Sequence, residues 1–173
     1  MKNLFLIGMP SSGKTSLGKL LAHRLNYQFL DIDAVIVENE KVSIAEFFSQ
    51  KGEAYFRQVE SQTLRQIQPD SRIVISTGGG TPCFFDNMAF IQRNGFSIFL
   101  EVSLEELLRR MKSSQKNERP LINLEEDDGT LLDALEKKYQ DRISFYQQAH
   151  YTIKGDKISV AMVMEAIKEE NLD

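Results

Sequence analysis

Cys83 is the only cysteine in 173 residues, so no disulfide within the chain can staple the fold. Basic residues are also unclustered. Net charge is −4 and no long Lys/Arg run occurs, which argues against nucleic acid and acidic membrane surfaces as partners. No apolar run approaches the roughly 20 residues of a membrane span. The apolar run before Gly8 has only four residues, Leu4 to Ile7, too few for a signal-peptide core. A cytoplasmic address is therefore expected. Repeats, low-complexity tracts and interdomain linkers are missing too. A hydrophobic fraction of 42% and a charged fraction of 27% describe an ordinary globular chain. At this length a single domain buries roughly 70% of its unfolded surface. The charge balance still allows a small anionic substrate held by a few buried arginines.

Apolar runs near 3–7, 27–32, 72–76, 96–101 and 151–153 read as strands, with helical spacing between them. Ser43 with Glu46, and Ser103 with Glu106, have the capping-box spacing that starts a helix. Such alternation predicts an α/β fold, a parallel sheet covered on both faces, with ligands at the carboxyl ends of the strands. Residues 112–129 depart from the pattern. They are polar and poorly periodic, with Lys112 and Lys116 before Arg119 and Glu125, Glu126, Asp127 and Asp128 after it. They read as a solvated linker or a mobile lid, and a long structureless loop in a compact domain favours a lid at about 112–126.

Gly8, Met9, Pro10, Ser11, Ser12, Gly13, Lys14 and Thr15 match the phosphate-binding pattern G-x-x-x-x-G-K-[ST]. An apolar strand precedes them. Leu17, Leu20, Leu21 and Leu25 follow at helical spacing, with Ser16 as the next polar side chain. Two glycines allow a tight turn with N–H groups aimed inward, and the helix adds its positive end. Lys14 is expected to reach the β- and γ-phosphates, and Thr15 to ligate Mg²⁺. Pro10 has no N–H, so the cradle has one amide fewer.

The remaining candidates are individually weaker. Asp31 and Asp33 end the second strand and share one side if the strand runs on through Asp33. They are then suited to a metal and a hydroxyl proton; alternatively Asp33 caps a helix starting at Ala34. Arg57 and Glu60, three apart on a helix, make either a surface ion pair or a guanidinium held ready for a substrate carboxylate. Gly78, Gly79 and Gly80 suggest close approach of backbone to ligand, because a turn needs only one glycine. Arg119 could swing onto a transferring phosphoryl group. Arg142 lies near the end of the helical pattern from about 131 to 148, where a cation often only complements the helix dipole. His23 and His150 have no partner at metal-ligand spacing. Cys83 reads as a small hydrophobe, with no basic partner evident.

Taken in order, these motifs resemble the shikimate kinase family over nearly the whole chain. They are the P-loop, Asp31-x-Asp33, Phe56-Arg57-x-x-Glu60, the glycines 78–80, Arg119-Pro120-Leu121 and Tyr139-x-x-Arg142. The resemblance implies a three-layer P-loop kinase of the nucleoside-monophosphate-kinase type, its five parallel strands in the order 2-3-1-4-5. It implies transfer of the γ-phosphoryl of ATP to the 3-hydroxyl of shikimate, on the way to chorismate and aromatic amino acids. By motif, Lys14 and Thr15 would hold phosphates and Mg²⁺, with Asp31 reaching the metal through water. Asp33 would bond the reacting hydroxyl. Arg57, Arg142 and the glycine backbone would hold shikimate between Phe48 and Phe56, in a substrate segment of about 33–61. Arg110 would lie against adenine, and Arg119 would close over the phosphates. Three positions depart from the family pattern: Pro10 in the P-loop, the missing proline between Arg142 and Tyr146, and His150 in place of Asp. A gluconate or nucleoside-monophosphate kinase, and a catalytically silent nucleotide binder, are the rival readings. The set Asp31, Arg57, Gly78–Gly80 and Arg142 suits a hydroxy-acid better than either. A monomer is expected from the small size and the lack of an exposed apolar stripe.

Overall fold

The computed structural model of the chain describes residues 2–113 and 127–169. Alternation along the first strand, β1 (Asn3–Ile7), decides which side of the sheet each side chain serves. Leu4 and Leu6 face one layer, while Phe5 and Ile7 face the other, and all are buried. A strand buried on both faces reads as one continuous apolar run. The remaining strands are β2 (Gln28–Asp31), β3 (Ile73–Ser76), β4 (Gly95–Glu101) and β5 (Tyr151–Lys154), each within two residues of its expected run. All pairings are parallel, in the order β2-β3-β1-β4-β5.

Helices α1 (Lys14–Leu25) and α7 (Val160–Glu169) cover the Leu4/Leu6 face through Leu17, Leu21, Val163 and Ile167. The opposite layer holds α2 (Ile32–Glu40), α3 (Ile44–Arg65), α4 (Asn87–Asn94), α5 (Leu104–Ser113) and α6 (Asp128–Tyr146). Its larger cluster joins Phe5 and Ile75 to Phe47, Phe56, Leu107, Leu135 and Tyr146. The fold is thus the three-layer α/β arrangement expected.

Local signals explain several ends. Ser43 and Glu46 form the full capping box of α3. Ser103 and Glu106 form only half of one. Ser103 Oγ accepts from Glu106 N at 3.3 Å, but Ser103 N donates to Asp156 Oδ1 at 3.0 Å, because the Glu106 carboxylate is drawn to Arg109 and Arg110. α3 breaks at Gly52, where φ is 79° and ψ 165°. Lys112 and Ser113 belong to α5, and Asp128 and Gly129 to α6; the rest of the expected lid, 114–126 with Arg119, Pro120 and Leu121, lies outside the described residues.

Candidate active site

The loop from Gly8 to Gly13 joins the end of β1 to the start of α1, and three residues in it have positive φ: Gly8 (149°), Ser11 (63°) and Gly13 (97°). No side chain caps the N-terminus of α1, and its first turn carries no acid. Neither a capping side chain nor an acid neutralises the positive end of the helix, a setting that suits an anion. Lys14 is buried and curls over the loop, donating through Nζ to the carbonyls of Gly8 at 3.0 Å and Met9 at 2.8 Å, and to Ser12 Oγ at 3.3 Å. Ser16 lies exposed one residue past Thr15. Pro10 serves as packing: a Cβ on Gly79 would lie 2.7 Å from its Cδ.

The Asp31/Asp33 pair is arranged differently from either sequence reading. The strand ends at Asp31 and does not continue through Asp33, so alternation does not set their relation. Asp31, and not Asp33, is the N-cap of α2, and α2 starts at Ile32 rather than Ala34. Asp31 Oδ1 accepts from Asp33 N at 3.1 Å and Ala34 N at 3.3 Å. Its other oxygen, Oδ2, accepts from Thr15 Oγ1 at 2.7 Å, and Thr15 Oγ1 is 3.3 Å from Ser76 Oγ. One carboxylate and two hydroxyls thus gather at the head of α1. They are hard oxygen donors, and their small number suits Mg²⁺, which keeps several waters and takes phosphate oxygens. Among the described residues no group of three or more His, Cys, Asp or Glu could cage a metal. Asp33, the second residue of α2, lies beside the glycine loop, where a Cβ on Gly78 would lie 3.0 Å from its Oδ1.

Arg57 and Glu60 are not a surface pair. Both are buried, and Nη1 donates to Glu60 Oε2 at 2.9 Å. The other oxygen of Glu60 accepts from Thr81 Oγ1 at 2.5 Å, and the Thr81 carbonyl accepts from Asn87 Nδ2 at 2.8 Å. Asn87 Oδ1 then accepts from Ser61 Oγ at 2.8 Å and Arg65 Nη1 at 2.5 Å. This chain of buried polar groups has its hydrogen bonds made, which is what permits a carboxylate at 0% exposure. Three aromatic rings surround the guanidinium: Phe84 at 4.6 Å, Phe56 at 5.3 Å and Phe48 at 5.8 Å from its carbon. The apolar walls expected from Phe48 and Phe56 therefore flank Arg57 itself.

The three glycines admit three different neighbours. A Cβ on Gly78 would lie 2.5 Å from Glu60 Oε1, one on Gly79 3.1 Å from Arg142 Nη1, and one on Gly80 2.6 Å from Arg57 Nη1. Close approach explains the triplet, as side chains here would displace the charged groups. The loop is pinned by Tyr146, wholly buried, whose hydroxyl donates to the Gly79 carbonyl at 2.5 Å and lies 3.7 Å from Met9 Sδ.

Arg142 sits one turn before the end of α6, aimed across Gly79 rather than along the helix axis. Its Nη1 is buried and finds no acceptor among the described residues. A buried guanidinium nitrogen of this kind fits an anionic ligand. Lys138, one turn earlier, has its pKa lowered by burial first and then by Arg142 and Arg57. Cys83 does have cationic neighbours, contrary to the sequence reading. Burial nonetheless pushes its thiol up to about 11, against the opposing pull of Arg142 and Arg57. Half-buried and held protonated at neutral pH, it is a poor nucleophile, in line with the small hydrophobe read from the sequence.

Beside the P-loop, Arg110 Nη1 donates to the Ser11 carbonyl at 3.2 Å, its Nη2 to the Asp156 carbonyl, and its Nε to Glu106 Oε1 at 2.7 Å. Arg109 and Arg110 together hold the Glu106 carboxyl down at about 2, the Arg109 hydrogen bonds contributing most. His150 Nδ1 lies 2.8 Å from Ser97 Oγ, a structural role. Sequence reasoning missed Ser76, Thr81, Tyr146, Phe84 and Glu53. Glu53 carried a local signal, four residues before Arg57 on the same helix. Thr81 and Phe84 lie on the turn directly after Gly80, Ser76 ends β3, and Tyr146 comes in with α6.

The shikimate kinase family profile matches residues 10–171. A shikimate kinase of Bacteroides thetaiotaomicron is 40% identical over 158 residues, covering 91% of this chain and 89% of that protein. The crystal structure of a shikimate kinase from Bacteroides thetaiotaomicron superposes with a TM-score of 0.89 at 35% identity, covering 99% of this chain and 98% of that one. A shikimate kinase from Acinetobacter baumannii, solved in complex with shikimate, gives 0.87 at 28% identity, with 99% and 93% covered. The chain belongs to the shikimate kinase family.

Proposed function

We infer that the chain transfers the γ-phosphoryl of ATP to the 3-hydroxyl of shikimate, giving shikimate 3-phosphate and ADP within aromatic amino acid biosynthesis. The observation that carries the reading is the convergence of Arg57, Arg142 and Asp33 on three consecutive glycines, beside a phosphate-binding loop. A ring with one carboxylate and several hydroxyls matches that set: guanidinium forks for the carboxylate, Asp33 for a hydroxyl, and backbone for the rest. The acceptor is assigned to a segment of about 33–61 together with Gly78–Gly80 and Arg142. Lys14, Ser11, Ser12, Gly13 and Ser16 are assigned to the phosphates, and Arg110 to the base.

Thr15, Ser76 and, through water, Asp31 would hold Mg²⁺, which when bound neutralises phosphate charge. The chain's own contribution is mainly positioning. Asp33 orients the acceptor hydroxyl in line with the γ-phosphorus. As the new O–P bond forms and the bond to the β-bridging oxygen breaks, Asp33 accepts the hydroxyl proton late. Lys14 exchanges its loop carbonyls for phosphate oxygens. Arg119 is assigned to the transferring group on its motif alone. A single domain acting as a monomer, in the cytoplasm, completes the reading; no described helix is long and apolar enough to cross a membrane.

The test is ADP release with shikimate, gluconate and AMP supplied in parallel. Release with shikimate alone is expected. Release with gluconate or AMP instead would reassign the substrate, and none with any of the three would make the chain a nucleotide-binding module.

A further inference from the structure

Arg57 does not present an open fork. Its Nε and Nη2, the parallel donors that a carboxylate would bridge, both go to Glu53 Oε1, at 3.2 and 2.9 Å. Only Nη1 goes to Glu60. The two acids sit in opposite settings. Glu60 is wholly buried and its second oxygen is committed to Thr81, so it is fixed. The Glu53 side chain is 52% exposed, one turn before Arg57 and directly after the break in α3 at Gly52. Nothing lies within 4 Å of where a Gly52 Cβ would point, so the space beside that break is open. Lys138 on α6 is a second cation within electrostatic reach of Glu53.

We propose that Glu53 is an exchangeable internal carboxylate that holds the fork of Arg57 and yields it to the carboxylate of the acceptor. The inference rests on the reading that Arg57 binds that carboxylate. Glu60 stays in place in both arrangements, and Glu53 moves outward toward solvent and Lys138. A buried guanidinium with half its donors unmade is costly, and Glu53 removes that cost before the acceptor arrives. The acceptor then gains only the difference between two carboxylates, not a whole new ion pair. Glu53 therefore weakens acceptor binding. It also screens the pocket, since a ligand without a carboxylate leaves Glu53 where it is. Its role is to set affinity and specificity; it is not a catalytic residue.

Shikimate Kd by calorimetry and KM by steady-state assay, on the full chain, test this with Glu53→Gln, Arg57→Ala and the double variant. Glu53→Gln is expected to lower both constants about two- to fivefold, the factor set by one ion pair whose carboxylate is open to solvent. In the Arg57→Ala background the same change is expected to have no effect. If Arg57→Ala weakens shikimate binding but Glu53→Gln weakens it too, or leaves it unchanged, the exchange is overturned and Glu53 is a support for Arg57. If Arg57→Ala leaves shikimate Kd unchanged, the carboxylate assignment itself falls.

Discussion

Gly80 lies directly against Arg57: a Cβ on Gly80 would stand 2.6 Å from Nη1 and 2.7 Å from Cζ. Its φ is −93°, a conformation any residue adopts, so the demand for glycine is purely one of space. Gly80→Ala must push a guanidinium that Glu60, Glu53 and three rings hold in place. The expected result is a shikimate KM raised more than about tenfold, because misplacement of positioning groups by an ångström has effects of this order or larger. ATP KM should change little. Urea unfolding should show a loss of about 1–3 kcal/mol, the usual cost of overpacking.

Gly52 makes the opposite demand. A Cβ there meets nothing within 4 Å, but φ 79° with ψ 165° is backbone that L side chains rarely adopt. Gly52→Ala should therefore cost stability through strain alone, about 1–3 kcal/mol by denaturant unfolding. A loss of that size without any steric neighbour would separate backbone strain from packing as the reason for glycine at this break.

Most of the architecture could be read from residue patterns because each strand of the parallel sheet is a short apolar run bounded by polar residues. The P-loop was equally legible, since its chemistry lies in consecutive residues. Asp31 and Asp33 show where such reading stops. Alternation holds only while the strand lasts, and it ends one residue before Ile32 starts a helix. Arg57 and Glu60 were legible as a pair but not as a buried one, because burial depends on Thr81 and the rings of Phe48 and Phe84. Tyr146 is 67 positions from the carbonyl it pins. No window of sequence contains that contact.

Asp31 and Asp33 should separate cleanly on substitution. Asparagine caps a helix about as well as aspartate, so Asp31→Asn should change stability by under about 0.5 kcal/mol in thermal or urea unfolding. It removes the only carboxylate bonded to Thr15 among the described residues. The Mg²⁺ concentration for half-maximal rate should then rise. Asp33→Asn keeps the hydrogen-bonding shape but cannot take a proton. ATP affinity should persist while kcat falls about 10²- to 10⁴-fold, the usual contribution of a positioned acid–base group. Near-normal turnover in Asp33→Asn would remove Asp33 from the chemistry.

Cys83 offers a probe that needs no mutation. Burial raises its thiol from an ordinary value of 9.0 to about 11, with Arg142 and Arg57 opposing the shift. The thiolate is the reactive form, so alkylation by iodoacetamide should be slow at pH 8 and reach half its maximal rate near pH 11. Shikimate should slow it further, because a bound carboxylate offsets the two guanidinium charges that favour the thiolate. The same shift has a consequence for stability. A raised pKa means that the folded chain holds the proton after the unfolded chain has released it. The contribution is therefore fully present below about pH 9 and is lost as pH rises from there toward 11. Cys83→Ser, whose hydroxyl does not titrate in this range, should flatten that part of the pH–stability curve. An alkylation midpoint near pH 8.5, with or without shikimate, would place Cys83 in a far more open and cationic setting than the one beside Gly80.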